Sequence, residues 1–408
     1  MEKKVIGPFT QLLPLTGLPV KGALKDEELE IIKNGAILVS EGKILKVGFF
    51  DDLKKETDTI EYVAGDSVCL PGFIDAHTHI CFGGSRAKDY AMRNAGKTYL
   101  EIAKAGGGIW DTVTKTRQAT EEELVQGIIQ RAAIHLKNGI TTIEIKSGYG
   151  LSVNEELKML RAIKKASEAV AQDIIPTCLA AHMKPRDRTG SPTSYLEEIS
   201  KQLFPLLKSE GLANRIDAFI EESAFSADEI APYFKATKNY GFDITVHADQ
   251  FTAGGSKVAM DHNAISADHL EASGEKEIAN LAKSNTIAVA LPGASIGLGC
   301  SFTPARNILD QGGALAIASD HNPGSAPMGD LLTQASILGT FEKLSNAEVL
   351  SGITFRAAQA LNLENRGRLI ARGVADFLAF PTKNYQEITY HQGQLKPTAV
   401  WKNGKKVA

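Results

Sequence analysis

A (β/α)₈ barrel of the TIM type, with a small β-sandwich domain formed by the N- and C-terminal segments, is the fold this sequence predicts. Three observations predict it: eight short apolar runs, long amphipathic helices between them, and strand-like pieces near both chain ends. The runs lie near Phe73 to His79, Ile140 to Ser147, Ile174 to His182, Ile216 to Glu222, Phe242 to Ala248, Ile265 to His269, Ile287 to Pro292 and Ala314 to Asp320. Apolar runs alternating with helices read as β/α units around a parallel sheet, and eight of them suffice to close it.

Taken in order, residues 30 to 65 hold Ala36-Ile37-Leu38-Val39 and Ile44-Leu45-Lys46-Val47-Gly48, separated by a Glu41-Gly42 turn, and predict a small β layer. Residues 1–67 are therefore assigned to a composite β domain and residues 68–368 to the barrel. Within the barrel, Thr120-Glu121-Glu122-Glu123 is a capping box, and Asn138-Gly139 supplies the stop before the second strand. A further helix is expected from about Val153 to Val170. From Leu369 onward strand-like pieces return, in Ala375-Asp376-Phe377-Leu378-Ala379-Phe380 and from Pro397 to Lys405. Too short to stand alone, residues 369–408 are expected to pair with the N-terminal strands.

A net charge of −3 without any long Lys/Arg block gives no electrostatic footprint for nucleic acid or an anionic membrane, so the expected partner is a small-molecule substrate. Cys69, Cys81, Cys178 and Cys300 lie far apart with no C-x-x-C, which argues against a disulfide framework and a thiolate zinc cage; reduced, buried thiols are expected. Met1-Glu2-Lys3-Lys4 is followed by Gly7, Pro8, Thr10 and Gln11 rather than by an apolar run, and no stretch reaches about 18 consecutive apolar residues. A cytoplasmic protein is expected.

The chemistry concentrates at the strand ends. In Phe73-Ile74-Asp75-Ala76-His77-Thr78-His79, residues i and i+2 of a strand point to one side, so both imidazoles can reach one ion. His182 ends the third run, His247 the fifth, His269 the sixth and Asp320 the eighth, at the barrel end where active sites are built. His77, His79, His247 and Asp320 offer three neutral nitrogens and a carboxylate, a set suited to one Zn²⁺ or Fe³⁺ ion with water completing the shell. Water bound to such an ion loses a proton near neutral pH, which points to hydrolysis. Asp320 is the candidate to take the nucleophile's proton and pass it to a leaving nitrogen, with His269 and His182 facing the substrate carbonyl or the attacking water. The competing roles are a backbone hydrogen bond for each of these two histidines and a helix cap for Asp320. Ile220-Glu221-Glu222-Ser223 lacks a lysine that could bridge two metals, so one metal is expected. Lys146 is read as an ordinary cation, Glu144 as its partner or as an acceptor behind the metal ligands, and Glu221 or Glu222, neither of them a metal ligand, as able to orient a ligand imidazole.

With H-x-H on the first strand, His on the fifth and sixth, and Asp on the eighth, the chain resembles the amidohydrolase superfamily, and within it the imidazolonepropionase family. The supporting segments are His77-Thr78-His79-Ile80-Cys81-Phe82-Gly83-Gly84-Ser85-Arg86, Lys146-Ser147-Gly148-Tyr149-Gly150-Leu151, Ala181-His182, His247-Ala248-Asp249-Gln250, Ser266-Ala267-Asp268-His269-Leu270 and Ser319-Asp320-His321-Asn322-Pro323-Gly324-Ser325. The resemblance implies ring opening of 4-imidazolone-5-propanoate by water to N-formimidoyl-L-glutamate, in L-histidine degradation. It also implies that Arg86, Tyr99, Tyr149 and His182 hold substrate, that Asn322, Gly324 and Ser325 contact the product or its tail, and that the assembly is a homodimer. Arg86 suits a carboxylate independently, because a guanidinium can grip it with two parallel hydrogen bonds. Gln250 stands where Glu also occurs in this family, which leaves it positioning a ring nitrogen or water rather than moving a proton; Ser325 stands where Thr is familiar and keeps the hydroxyl. Two other readings compete: a mononuclear deaminase of cyclic amidines or nucleobases, and a barrel that has lost catalysis and serves in binding. A neutral nucleobase needs no guanidinium clamp, and a dead barrel would be missing a ligand.

Overall fold

The computed structural model describes residues 2–222 and 224–408, with the side chains of residues 99, 100 and 103 outside the described set. Eight parallel strands form the barrel in sequential order: Phe73–Asp75, Ile140–Lys146, Asp173–Ala181, Arg215–Ile220, Asp243–Ala248, Ser266–His269, Ile287–Ala290 and Leu315–Ile317. Each predicted apolar run supplies one of them. The first and eighth close the ring just past their ends, through a parallel bridge between Thr78 and His321. There Asp320 N donates to the His77 carbonyl at 3.0 Å and His79 N to the His321 carbonyl at 2.9 Å. Barrel closure and the H-x-H pair are thus one piece of structure.

The connecting helices follow their sequence signals. Thr120 caps Glu121–Lys137, its side chain accepting from Glu123 N while the Glu123 carboxylate reaches back, which satisfies two of the donors a helix start leaves open. Gly139 stops that helix at φ +90°, and a Cβ there would lie 2.8 Å from the Leu378 side chain, so glycine is required for the turn and for the packing. Among the described residues no helix is long and apolar enough to cross a membrane.

The chain ends build a second, mixed sheet of eight strands. Its main path joins Lys405–Lys406, Ala399–Lys402, Phe377–Phe380, Val68–Pro71, Lys4–Leu12, Ile32–Ser40 and Lys43–Phe49, and Ile60–Tyr62 pairs with Lys4–Leu12. Because Val68–Pro71 pairs in this sheet, strand pairing puts the passage into the barrel at Gly72 rather than at residue 68. Its core is aromatic: Trp401 stacks on Phe377 at 4.8 Å between centroids, and Phe9 meets both edge-on. Lys402 anchors the sheet to the barrel, its ammonium 2.9 Å from Asp376 and 2.9 Å from Asp173 at the start of the third barrel strand. Cys69, Cys81 and Cys178 are buried free thiols, as expected; Cys300 is exposed, because it follows the short helix Pro292–Leu298 at the barrel rim.

Candidate active site

His77, His79 and His247 converge at the C-terminal mouth of the barrel, buried, with candidate ligand atoms within 4.8 Å of one another. The His79 Nε2 lies 3.2 Å from His77 Nε2 and 3.3 Å from His247 Nε2. Asp320 completes the group, its Oδ1 standing 3.6 Å from His77 Nε2 and 3.4 Å from His79 Nε2. That oxygen is buried and has no hydrogen-bond partner among the described residues. Facing nitrogens around an unpartnered carboxylate oxygen are costly in an apolar setting unless a cation lies among them, and the donor set fits Zn²⁺ or iron.

Carboxylates face the Nδ1 edges of two of the three rings, while His79 Nδ1 is buried with no partner among the described residues. His77 Nδ1 lies 2.7 Å from Asp268 Oδ2, and His247 Nδ1 lies 2.9 Å from Asp217 Oδ2. A neutral imidazole that gives its Nδ1 proton to a carboxylate keeps a free lone pair on Nε2. Burial, reinforced by neighbouring positive groups, lowers the pKa of His77 and His79 well below the ordinary histidine value, and burial also lowers that of His247. All three present neutral nitrogens. Burial raises the Asp320 carboxyl to about 6 although His269 opposes it.

The orienting carboxylates were not the ones expected. Glu221 accepts from Phe251 N at 3.0 Å and Thr252 N at 3.1 Å, pinning the loop after the fifth strand, and Glu222 is exposed. Asp217 and Asp268 reach the imidazoles because they point into the barrel from mid-strand, whereas Glu221 lies past its strand end. Nor is Lys146 an ordinary cation. Fully enclosed, its ammonium sits 2.8 Å from Glu144, 2.9 Å from Asp217 and 4.0 Å from Asp268. Glu144 also takes Thr78 N at 3.1 Å, fixing the backbone between the paired histidines.

Around this centre, His182 stacks on His79 with ring centroids 5.4 Å apart and holds the Gly148 carbonyl through Nδ1 at 3.0 Å. The backbone bond expected as its competing role is therefore present. His269 lies 5.3 Å from the His247 ring, and Glu271, 3.4 Å from its Nδ1, helps raise its pKa against the effect of burial. Tyr149 is buried against His79 and His182. Its loop is held by Glu156, whose carboxylate takes Gly148 N at 3.0 Å and both Gly150 N and Leu151 N at 2.8 Å. Asp249 does the same after the fifth strand, accepting from Gly254 N, Ser256 N and the Ser273 hydroxyl.

Arg86 lines a cavity of about 280 Å³ with Phe82, Tyr90, His321 and Asn322. Its Nε is paired to Asp89, and one terminal nitrogen makes a 3.4 Å contact with Thr112, so the guanidinium is braced from behind. Asn322 spends its amide on its own loop: Nδ2 donates to the Asp320 carbonyl at 2.7 Å, and Oδ1 accepts from Gly324 N and Ser325 N at 2.8 Å each. Ser325 Oγ sits 3.4 Å from Asp320 Oδ2. A Cβ at Gly297 would stand 1.6 Å from the Ser325 carbonyl, so glycine alone lets the neighbouring helix press on this loop. Gln250 is half-buried beyond the fifth strand, with no side-chain partner among the described residues. The Tyr99 side chain lies outside the described residues, its backbone in the short helix Tyr99–Lys104.

Several of these positions are strained. Asp249, His269, Leu270 and Asp320 have φ of +50°, +87°, +71° and +51°, in the left-handed region that favours glycine. Such residues just past three barrel strands mark a mouth where side-chain placement takes precedence over backbone comfort.

An eight-stranded parallel barrel with a His-rich, metal-competent mouth and a flanking sheet is the architecture of hydrolases of the amidohydrolase class, and the model of the Amidohydrolase family matches residues 68–407. The chain belongs to that family. Among curated proteins it is 38% identical over 376 residues to an imidazolonepropionase of Acinetobacter baumannii strain AB307-0294, covering 91% of this chain and 94% of the relative. It is also 38% identical over 381 residues to an imidazolonepropionase of Serratia proteamaculans strain 568, covering 92% and 94%. These relatives put the chain among the imidazolonepropionases. At the level of fold, it superposes on zinc-complexed atrazine chlorohydrolase from Arthrobacter aurescens TC1 with a TM-score of 0.73 at 14% identity, covering 99% of this chain and 95% of the other.

Proposed function

We propose that the chain hydrolyses the ring C–N bond of 4-imidazolone-5-propanoate to give N-formimidoyl-L-glutamate, a step of L-histidine degradation. The observation that supports this most is the conjunction of a metal-competent cluster with a braced guanidinium whose cavity is lined by His321 and Asn322, the residues next after Asp320. The likeness to imidazolonepropionases over nine-tenths of the chain agrees with it. His77, His79, His247 and Asp320 would hold one Zn²⁺ or Fe³⁺ ion, which supplies Lewis acidity and a nucleophilic water near neutral pH. Nitrogen and oxygen ligands suit both metals.

In this reading Arg86 and Tyr149 hold the carboxylate tail and His182 the ring carbonyl, so that the scissile carbon faces the cluster. Asp320 takes the proton of the attacking water and returns it to the departing ring nitrogen. His269, whose pKa Glu271 raises, donates toward the oxygen that gains charge. Gln250 orients water or a ring nitrogen. Tyr99 contacts the tail, and Asn322 shapes the Gly324–Ser325 loop against the product. A cytoplasmic location and a homodimer belong to the same proposal.

The test is an assay on imidazolone propanoate generated in situ, with cytosine and guanine in parallel. Loss of the imidazolone with formation of formimidoyl-glutamate is the expected result. Ammonia from a nucleobase, with the imidazolone untouched, would replace this reading with a deaminase.

A further inference from the structure

The second barrel strand, Ile140–Lys146, carries two charged side chains two residues apart in an otherwise apolar and threonine sequence. Ile143 and Ile145 join the main hydrophobic core, while Glu144 and Lys146 point the other way, into the barrel. Nothing in the proposed reaction uses Lys146, yet it is among the largest fully enclosed side chains of the protein. A buried ammonium is tolerated only where partners repay its lost hydration, and here three carboxylates surround it. The two that are not on its own strand are the same two that face ligand imidazoles, and by the same atoms. Asp217 Oδ2 is 2.9 Å from Lys146 Nζ and 2.9 Å from His247 Nδ1. Asp268 Oδ2 is 4.0 Å from Lys146 Nζ and 2.7 Å from His77 Nδ1.

We propose that Lys146 is a positioning residue for the metal-binding histidines: by bridging Asp217 and Asp268 it holds their oxygens against the Nδ1 edges of His247 and His77, and so keeps both Nε2 edges turned toward one cation. The inference rests on reading the histidine cluster as a metal site. Its physical basis is charge balance. Asp217 and Asp268 would repel each other in a space without water, and the ammonium between them is the group that lets both stay charged and aimed at the rings. Asp217 Oδ1 and Asp268 Oδ1 are buried with no partner among the described residues, Asp217 Oδ2 has only its close ion contacts with Lys146 and His247, and Asp268 Oδ2 also takes the Thr245 hydroxyl at 3.2 Å.

The experiment measures the affinity of one Zn²⁺ by chelator competition for the full-length protein and for Lys146→Met, Asp268→Asn and their combination, with circular dichroism confirming the fold. Lys146→Met is expected to weaken binding about 10- to 100-fold, and the double variant to lose less than the two single losses combined, because Lys146 acts in part through the Asp268 carboxylate. A folded Lys146→Met that binds Zn²⁺ as tightly as the parent overturns the proposal. Should that variant not fold, ¹⁵N-histidine spectra of the metal-free parent decide. Protons on Nδ1 of both His77 and His247 support the proposal, and a proton on Nε2 of either overturns it. A parent protein that takes up no Zn²⁺ at all would instead refute the metal reading itself.

Discussion

The terminal sheet and the barrel mouth are built on opposite terms. In the sheet, Phe9, Phe377 and Trp401 pack ring to ring, and the one polar atom of Trp401 is satisfied by Glu61 at 2.6 Å. At the mouth, buried carboxylates and imidazoles crowd together and Asp320 Oδ1 has no described partner. One region is optimised for cohesion, the other holds side chains in arrangements that cost stability until a ligand relieves them. Damage to the sheet should therefore appear in stability with the site chemistry intact, and damage to the mouth in turnover with the fold intact.

The largest effect expected is on turnover. Asp320→Asn removes the carboxylate that accepts and returns the proton, so kcat should fall by about 10²- to 10⁴-fold, while the midpoint of thermal unfolding of the metal-free protein stays the same or rises, since a buried charge has gone. Steady-state kinetics and calorimetry on the same preparation check both halves. Next, Trp401→Ala should destabilise by about 3–5 kcal/mol through the cavity it leaves, read by denaturant unfolding, with the Zn²⁺ affinity of the folded protein unchanged. An equal loss of metal affinity would mean that sheet and mouth are coupled more tightly than their separate cores suggest.

Smaller still, Arg86→Ala should raise KM about 10- to 100-fold with kcat little changed, because a charge-assisted grip worth about 1.5–3 kcal/mol is lost away from the reacting bond. A fall in kcat with KM unaltered would assign Arg86 to the chemistry instead. The smallest effect is in the pH dependence of stability. Burial lowers His135 and His182 to about 3 and His321 to about 4. Between those values and about 6.5 the unfolded chain binds protons that the folded one refuses, so stability rises with pH across that window. Asp75 and Asp320, raised by burial to about 7 and about 6, act in the opposite sense above about 4, while His77 and His79, also lowered by burial, act in the same sense as the three. The metal-free protein should thus be less stable at pH 4.5 than at pH 7, and His135→Asn should flatten the slope; a slope unaltered by that substitution would exclude His135 as a source.

The same contrast explains what could be read from sequence. The eight barrel strands were legible because Val, Ile and Ala runs between amphipathic helices leave little choice of fold, and the H-x-H pair because its spacing of two has a geometric meaning. Asp217 and Asp268 were not, whereas Glu144 was readable as the partner of Lys146, which it meets at 2.8 Å. Asp217 and Asp268 each look like an isolated acid in an apolar run, and their partners lie far along the chain: His77 is 191 residues from Asp268. The alternation of Glu144 and Lys146 on the inward side of a buried strand was the available signal, since no charge is placed there without a partner. Glu221 and Glu222 drew attention instead because they stand at a strand end, where the rule for barrel enzymes looks first.

The most direct test of the whole account is a titration of metal-depleted protein with Zn²⁺ while the opening of imidazolone propanoate is followed. Activity that climbs linearly, stops at one equivalent and yields formimidoyl-glutamate is the predicted result. Full activity before any metal is added would contradict it.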